Sequence, residues 1–173
     1  MRIAFIGGGT MGEAMVKCLL TNGVAAPQDI VVSDVSPLRR KLLSQEYGVS
    51  TLDDNGKAIE DADLIILAVK PQNLSQATKE MLKAGSLPPT ALVLSIVAGA
   101  SLDSLCQSLN HPSVVRAMPN MPAQIGQGMT IWTATAEVSP NQREMTQAIL
   151  AALGEEIYVD DEKYLDMATA LSG

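Results

Sequence analysis

The sequence predicts an α/β fold in which helices cover both faces of a doubly wound, mainly parallel sheet. Short aliphatic runs alternate with helical patterns along the 173 residues, which is typical of successive strand–helix units. The runs are almost continuously apolar and do not alternate with polar residues, as expected for strands buried on both faces. The first run opens directly into a glycine-rich turn and a helix, which makes the predicted fold Rossmann-like.

In the first half of the chain, apolar runs and turn residues set the predicted boundaries. Strands are predicted at 3–6, 30–34, 49–51 and 64–69, and helices at 11–20, 37–46, 55–59 and 72–83. Asn22-Gly23 closes the first helix, and Ser36-Pro37 supplies an N-cap and a first-turn proline for the second. The run at 64–69 has no alternating polar residue, so this strand is expected at the sheet centre.

The second half continues the alternation and ends on a helix with an apolar stripe. Strands are predicted at 91–96, 114–118, 129–132 and 156–159, and helices at 101–109 and 142–153. The last helix is predicted from Glu162, with Tyr164, Leu165, Ala168 and Leu171 on one face. That face must pack either back on the sheet or into a second domain, and the second alternative is favoured. The apolar face also predicts that the protein tends to dimerise or to exchange this helix between two copies.

Composition argues against several classes of function. The net charge of −7 and a pI near 4.6 disfavour nucleic acid and anionic membranes as partners. No apolar run is long enough to span a bilayer and none resembles a secretory signal, so a cytoplasmic location is expected. Cys18 and Cys106 lie far apart in apolar helical stretches without clustered metal ligands. We interpret both as small core residues and predict no metal site.

Gly7, Gly9 and Gly12 form a G-x-G-x-x-G pattern between the first strand and the first helix. In a dinucleotide site the first glycine permits a tight turn, the second lets the backbone approach a pyrophosphate, and the third lets the helix pack on the sheet. The helix that Thr10 and Met11 begin offers free N–H groups and a positive dipole end to phosphates. The same pattern also occurs in ordinary glycine-rich turns, so its context decides its meaning.

Asp34 lies twenty-two residues after Gly12, at the end of the second predicted strand. An acidic residue there hydrogen-bonds the adenosine ribose in NAD sites, although an ordinary turn aspartate has the same pattern. Arg39 and Arg40 could neutralise the additional 2′-phosphate of NADP, or they could lie solvated on their helix. Because Asp34 would repel that phosphate, these residues favour NAD as the cofactor without excluding NADP.

Two further loops are expected at the same carboxyl edge of the sheet, where ligands bind in open α/β folds. Ala68, Lys70 and Pro71 follow the central strand, and Pro71 fixes backbone that can line a cofactor. A catalytic lysine and a lysine that reaches solvent or phosphate are both consistent with Lys70. The segment 116–123 places Asn120 between two prolines, in a rigid loop whose amide can donate and accept hydrogen bonds. This loop is the candidate for the reacting end of the site.

Three separated motifs together resemble pyrroline-5-carboxylate reductases. They are FIGGGTMG at 5–12, AVKPQ at 68–72, and VRAMPNMPA at 115–123 followed by GQGMT at 126–130. The resemblance extends along essentially the whole chain, and the motifs occur in the family's order. The last four residues, ALSG, are similar to the opening of a further motif of that family.

The resemblance implies reduction of 1-pyrroline-5-carboxylate to L-proline by hydride from NAD(P)H, the last step of proline biosynthesis. It implies an NAD(P)-binding Rossmann domain at 1–160 and the start of a truncated helical dimerisation domain at 161–173. The partners it implies are a small-molecule imine substrate and a second copy, in a homodimer or higher homo-oligomer. Because the helical domain completes the substrate pocket in that family, this chain by itself need not be active.

The resemblance also assigns site residues. The cofactor-binding set is Gly7, Gly9, Thr10, Met11, Gly12, Asp34, Ala68, Lys70 and Pro71. Asn120, Pro122 and Ala123 are assigned to the nicotinamide and substrate side, and no catalytic residue or proton donor is assigned. Many relatives have Asn-Arg-Ser where this chain has Asp34-Val35-Ser36, which weakens an assignment to NADP, and Met121 stands where threonine is usual.

Three alternative functions remain at this point. A dinucleotide-binding module without catalysis fits a chain that holds only part of a substrate pocket. Another Rossmann imine or hydroxyacid reductase, or a deazaflavin-linked NADP reductase, shares the glycine motif and the sheet. The loop around Asn120 argues against the hydroxyacid and deazaflavin readings.

Overall fold

The computed structural model describes residues 1–85 and 87–172, and its core is one eight-stranded sheet with the order β3-β2-β1-β4-β5-β6-β7-β8. The strands are β1 Ile3–Ile6, β2 Ile30–Ser33, β3 Ser50–Leu52, β4 Leu64–Leu67, β5 Leu92–Ser95, β6 Val114–Pro119, β7 Gly128–Ala134 and β8 Gly154–Tyr158. Neighbouring strands are parallel except for β6 and β7, which pair antiparallel. The predicted fold class is confirmed.

Seven α-helices cover this sheet in the described part of the chain. They are α1 Thr10–Thr21, α2 Pro37–Tyr47, α3 Asn55–Ala58, α4 Leu74–Met81, α5 Leu102–Leu109, α6 Pro140–Ala151 and α7 Lys163–Ser172. The continuous helix predicted at 72–83 is interrupted, because short 3-10 turns flank α4 at Pro71–Asn73 and Leu82–Ala84. Helix α6 begins two residues before the predicted start, since Ser139 and Gln142 form a capping box around its first turn.

The central strands owe their burial to helices on both faces. Along β1, Ile3 and Phe5 pack into one core while Ala4 and Ile6 pack into the other, as the two-residue period of a strand requires. Strand β4 lies between β1 and β5, and all four of its residues are buried. The prediction of a central strand at this position is confirmed.

The carboxyl ends of six parallel strands, β1 to β6, lie at one edge of the sheet. Ile6 pairs with Ser33 and with Leu67, so the turns after β1, β2 and β4 lie at one level. The chain runs from β1 outward to β2 and β3 and then crosses to β4 on the other side. This reversal places a switch point between β1 and β4, which is where open α/β sheets bind ligands.

Helix α7 packs against β6 and β7. Leu165 is fully buried there, whereas Tyr164 and Met167 are about half exposed. Tyr164 and Leu165 therefore do not share a face, because consecutive helical residues point about 100° apart. The predicted contribution of the Leu171 side chain lies outside the described residues. The assignment of 161–173 to a separate domain stays a prediction.

The two cysteines occupy packed positions. The Cys18 side chain is buried and its thiol contacts the carbonyl oxygen of Ala123 at 3.6 Å, while Cys106 is half-buried. Burial raises the pKa of both thiols, which keeps them protonated and poorly nucleophilic. Both findings agree with the interpretation as core residues. Among the described helices, none has the length and apolar character to cross a membrane.

Candidate functional site

The glycine turn after β1 has the shape that a bound pyrophosphate requires. Gly7 has a φ of +103°, and a Cβ there would lie 2.8 Å from the carbonyl oxygen of Ala68, so the turn can approach β4 closely only with glycine. A Cβ on Gly12 would lie 2.5 Å from the carbonyl oxygen of Gly7, and this glycine lets α1 pack onto the turn. A Cβ on Gly9 would meet no protein atom within 4 Å. The space over Gly9 is thus free for a ligand.

Helix α1 begins directly under that space. Its N-cap is Gly9, which carries no capping side chain, and Thr10 in the first turn is exposed. The amino end of a twelve-residue helix without a side-chain cap leaves its N–H groups and positive dipole end available to an anion. Met11 is half-buried and packs against the core, so it supports the turn from below.

Asp34 links the glycine turn to the end of β2. Its Oδ2 accepts a hydrogen bond from the Gly8 N–H at 2.8 Å, and its Oδ1 accepts one from the Ser36 N–H at 2.8 Å. Each carboxylate oxygen still has a second lone pair, because it accepts one bond. The carboxylate is half-buried and stands beside the turn, where a ribose hydroxyl could donate to it.

Arg39 is held on the glycine turn and does not lie solvated on its helix. Its guanidinium donates to the carbonyl oxygen of Gly8 at 2.6 and 2.8 Å and to Glu13 at 2.5 Å. The hydroxyl of Tyr47 donates to the other oxygen of Glu13 at 3.0 Å. Burial alone would raise the pKa of Glu13, but these two hydrogen bonds outweigh it and lower that pKa. The group ties α2 to the first turn of α1.

We expect this group to make the protein less stable in acid. Because the folded-state pKa of Glu13 lies below its ordinary value of 4.5, the stabilisation is fully present above about pH 4.5 and is lost as the pH falls through the folded-state pKa. Urea unfolding between about pH 3 and 6 measures this effect. In Glu13→Gln, the free energy of unfolding should fall less steeply as the pH is lowered. If its fall is unchanged, other carboxylates cause the loss of stability in acid.

The turn after β4 faces the glycine turn across the switch point. The Ala68 N–H donates to the carbonyl oxygen of Ile6 at 2.9 Å, which fixes the two turns against each other. Lys70 is exposed, and Pro71 begins a 3-10 turn with its ring exposed. Ala68 lies next to the glycine turn, and Lys70 and Pro71 follow it in the same segment. Lys70 has no side-chain hydrogen bond or ion pair in the described part of the chain.

The loop after β6 forms the far end of the same edge. The Asn120 side-chain oxygen accepts a hydrogen bond from the Met129 N–H at 2.9 Å, and the Asn120 N–H donates to the Met129 carbonyl at 3.3 Å. Pro122 is exposed at the start of a 3-10 turn, Met121–Ile125. Ala123 is fully buried and packs in the core. Its methyl group therefore supports the loop from inside, and its assignment to the nicotinamide side stays a prediction.

Sequence reasoning missed the role of Arg116. Although it lies within the VRAMPNMPA motif, its side chain is 4% exposed and pairs with Glu162 at 2.7 Å and Asp166 at 2.6 Å. Burial alone would lower the pKa of Arg116, but the two carboxylates outweigh it and raise that pKa. The guanidinium thus anchors the amino end of α7 to β6. An arginine inside an apolar strand run was the available signal, because such a charge needs a partner.

The edge as a whole can bind a dinucleotide and present its reactive end to the β6 loop. The described residues fit such a cofactor because the space over Gly9 is open, the α1 amino end is uncapped and Asp34 stands at the end of β2. Asn120, Pro122, Ala68 and Pro71 carry no titratable group. These four residues can therefore bind and orient a ligand, but none of them can act as a general acid.

Comparisons with known proteins agree with this geometry. Residues 2–99 match the family described as NADP oxidoreductase, coenzyme F420-dependent. The chain is 39% identical over 173 residues to pyrroline-5-carboxylate reductase of Pseudomonas aeruginosa, covering 99% of this chain and 62% of that protein. It is 35% identical to the Synechocystis reductase, covering 100% and 63%. The chain thus spans about three fifths of the length of these curated relatives.

Solved structures give the same result. A pyrroline-5-carboxylate reductase from Coxiella burnetii superposes with a TM-score of 0.92 at 32% identity, over 99% of this chain and 63% of that one. The Plasmodium falciparum enzyme, solved with NADP bound, superposes at 0.86 with 22% identity, over 100% and 62%, and shows the shared fold. The resemblance seen in the three motifs is confirmed. More than half of the sequence lies within the matched family model, and the chain therefore belongs to the family described as NADP oxidoreductase, coenzyme F420-dependent.

Proposed function

We propose that this chain supplies the dinucleotide-binding part of a reductase that converts 1-pyrroline-5-carboxylate to L-proline with NAD(P)H. One observation carries the proposal: similarity to pyrroline-5-carboxylate reductases covers 99% of this chain, including the loop at 116–130. The family description alone would suggest deazaflavin chemistry. Its match ends at residue 99, however, before that loop begins.

The glycine turn and Asp34 would hold the pyrophosphate and the adenosine ribose of the dinucleotide. The open face of Gly9 and the uncapped amino end of α1 suit the pyrophosphate, and Asp34 suits the ribose hydroxyls. The turn with Ala68 and Pro71 would then direct the nicotinamide ribose towards the β6 loop. Binding along this edge fixes the direction of the ring, which is most of what a protein contributes to hydride transfer.

Asn120 is suited to orient the reacting partners. Its oxygen is used by the Met129 N–H, and its amide NH₂ donates no hydrogen bond within the described part of the chain. That NH₂ group can donate to a carboxylate or carboxamide oxygen next to Pro122. When bound, the cofactor supplies a hydride to the imine carbon, and the imine nitrogen takes up one proton. We assign that proton to no residue of the β6 loop, since Asn120 and Pro122 cannot release one.

An assay of the purified chain tests the proposal directly. The chain is mixed with 1-pyrroline-5-carboxylate and NADH or NADPH, nicotinamide absorbance is followed, and proline is identified as the product. Turnover that disappears in Gly9→Val supports the proposal. Binding of the dinucleotide without turnover, both in this chain and in any longer product of the same reading frame, would favour the non-catalytic module. Reduction of a deazaflavin but not of the imine would favour the other reductase.

We also propose that the working enzyme is a cytoplasmic homodimer or higher homo-oligomer. Tyr164 and Met167 present apolar surface on α7, at 45% and 56% exposure, which a second copy could cover. Light scattering at several protein concentrations measures this association. A strictly monomeric enzyme with full activity would contradict it.

A further inference from the structure

We propose that the residues around the end of β2 make this chain select NADH over NADPH. The inference rests on the proposed function, because it concerns the cofactor of that reaction. NADPH differs from NADH by one phosphate on the adenosine 2′-oxygen, so the choice depends on the charges that this oxygen meets. Those charges belong to Asp34, Arg39 and Arg40, together with the cleft next to them.

Asp34 presents a negative charge at the ribose position and is fixed there. Both of its oxygens accept backbone N–H bonds at 2.8 Å, one from the glycine turn and one from the start of α2. Rotating the carboxylate away would break both bonds at once. A 2′-hydroxyl can donate to the remaining lone pairs, whereas a 2′-phosphate brings two negative charges against a third.

Arg39, in the first turn of α2, is a cation close to the glycine turn, but it is already engaged. Two of its nitrogens donate to the Gly8 carbonyl oxygen, and one of these also reaches Glu13 at 2.5 Å. Tyr47 holds Glu13 in place from the other side. The guanidinium charge is therefore matched by a carboxylate, and two of its three nitrogens donate to the glycine turn.

Arg40 is restrained in the same way. Its Nη1 donates to the Asp34 carbonyl oxygen at 2.7 Å, and its Nη2 lies 3.6 Å from a carboxylate oxygen of Asp53. This cation thus closes the turn between β2 and α2. To reach a phosphate it would have to leave both Asp34 and Asp53.

The cleft beside this turn adds further negative charge. It has a volume of about 530 Å³ and begins at Val35, directly after Asp34. Its lining includes four carboxylates and two lysines: Asp53, Asp54, Glu60, Glu80, Lys57 and Lys83. A 2′-phosphate that approaches from this side meets more negative than positive charge. The resulting repulsion is stronger at low ionic strength, because fewer salt ions screen it.

The test is a pair of dissociation constants measured by calorimetry, for NADH and for NADPH, on the same protein. We expect NADH to bind at least about tenfold more tightly, which corresponds to about 1.4 kcal/mol, because the 2′-phosphate of NADPH would meet an uncompensated like charge. Raising the ionic strength should bring the dissociation constants for NADH and NADPH closer together, because salt screens the repulsion of the phosphate. These measurements need no imine substrate, so they stand even if the assay of proline formation fails.

Three variants identify the cause. Asp34→Asn should shift the ratio of the two constants towards NADPH by about tenfold. Glu13→Gln, which leaves Arg39 without its matching charge, should tighten NADPH about threefold and leave NADH nearly unchanged. Glu46→Gln removes an exposed carboxylate from the far end of α2, the helix that carries Arg39 and Arg40, and serves as the matched control with an unchanged ratio.

The outcomes separate this inference from the proposed function. Equal or tighter NADPH binding in the parent protein, or a ratio that Asp34→Asn leaves unmoved, overturns the selectivity. Failure to bind either dinucleotide overturns both claims. Selective NADH binding upholds the selectivity even if neither this chain nor any longer product of the same reading frame reduces 1-pyrroline-5-carboxylate, and that result contradicts only the reaction.

Discussion

Replacement of Gly9 by valine is expected to weaken dinucleotide binding about 100-fold while the protein remains folded. A Cβ at this position meets no protein atom within 4 Å, and the backbone φ of −68° and ψ of −171° are accessible to any residue. The new side chain would fill the space over the α1 amino end. It can therefore clash with a pyrophosphate without clashing with the protein.

Calorimetry with NADH and thermal unfolding of the free protein together measure this prediction. Gly9→Ala should give a smaller loss of affinity, because it adds one carbon in place of three. Gly12→Ala is the structural contrast, since its Cβ would lie 2.5 Å from the Gly7 carbonyl oxygen and should lower the unfolding temperature. If Gly9→Val binds NADH as tightly as the parent, the glycine turn is not the pyrophosphate site.

Removal of both acidic partners of Arg116 is expected to lower the free energy of unfolding by about 3 kcal/mol. In Glu162→Gln with Asp166→Asn, the guanidinium stays 4% exposed but loses both matching charges. The partners themselves are 29% and 66% exposed, so the expected cost lies at the low end of the range for buried pairs. Urea unfolding measures the loss, and hydrogen exchange along α7 shows whether the helix detaches.

Two comparisons make this result specific to the buried charge. Adding Arg116→Met to the double variant should recover part of the stability, because the uncompensated charge is then gone. Asp161→Asn breaks an exposed pair with Lys163 in the same segment and should cause no resolvable change. Equal destabilisation by Asp161→Asn and by the double variant would mean that the segment is sensitive to any lost charge.

The elements that sequence reasoning predicted well are those whose signals are local. The glycine pattern, the apolar run at 64–69 and the Ser36-Pro37 helix start each depend on residues within a few positions of one another. Their structures follow because turn geometry, strand burial and helix capping are decided at that range. The position of Asp34 beside the glycine turn was also predictable, since parallel strands place their carboxyl ends at one edge.

Contacts between distant segments were not predictable in the same way. Nothing near Arg39 in the sequence indicates that it reaches Gly8 and Glu13, which precede it by 31 and 26 residues. The pairing of Arg116 with Asp166 spans 50 residues. The burial of Ala123 likewise depends on how its loop turns over the core.

By itself, the sequence determined an open α/β sheet with a dinucleotide-binding turn, and three spaced motifs indicated the family of reductases. Only the tertiary structure decided that α7 packs back on β6, that Ala123 faces inward, and that the cations after β2 are already paired. The physical reason is the range of the interactions involved. Backbone conformation and burial pattern are encoded locally, whereas the partner of a charged side chain depends on which distant carboxylate the completed fold brings within hydrogen-bonding distance.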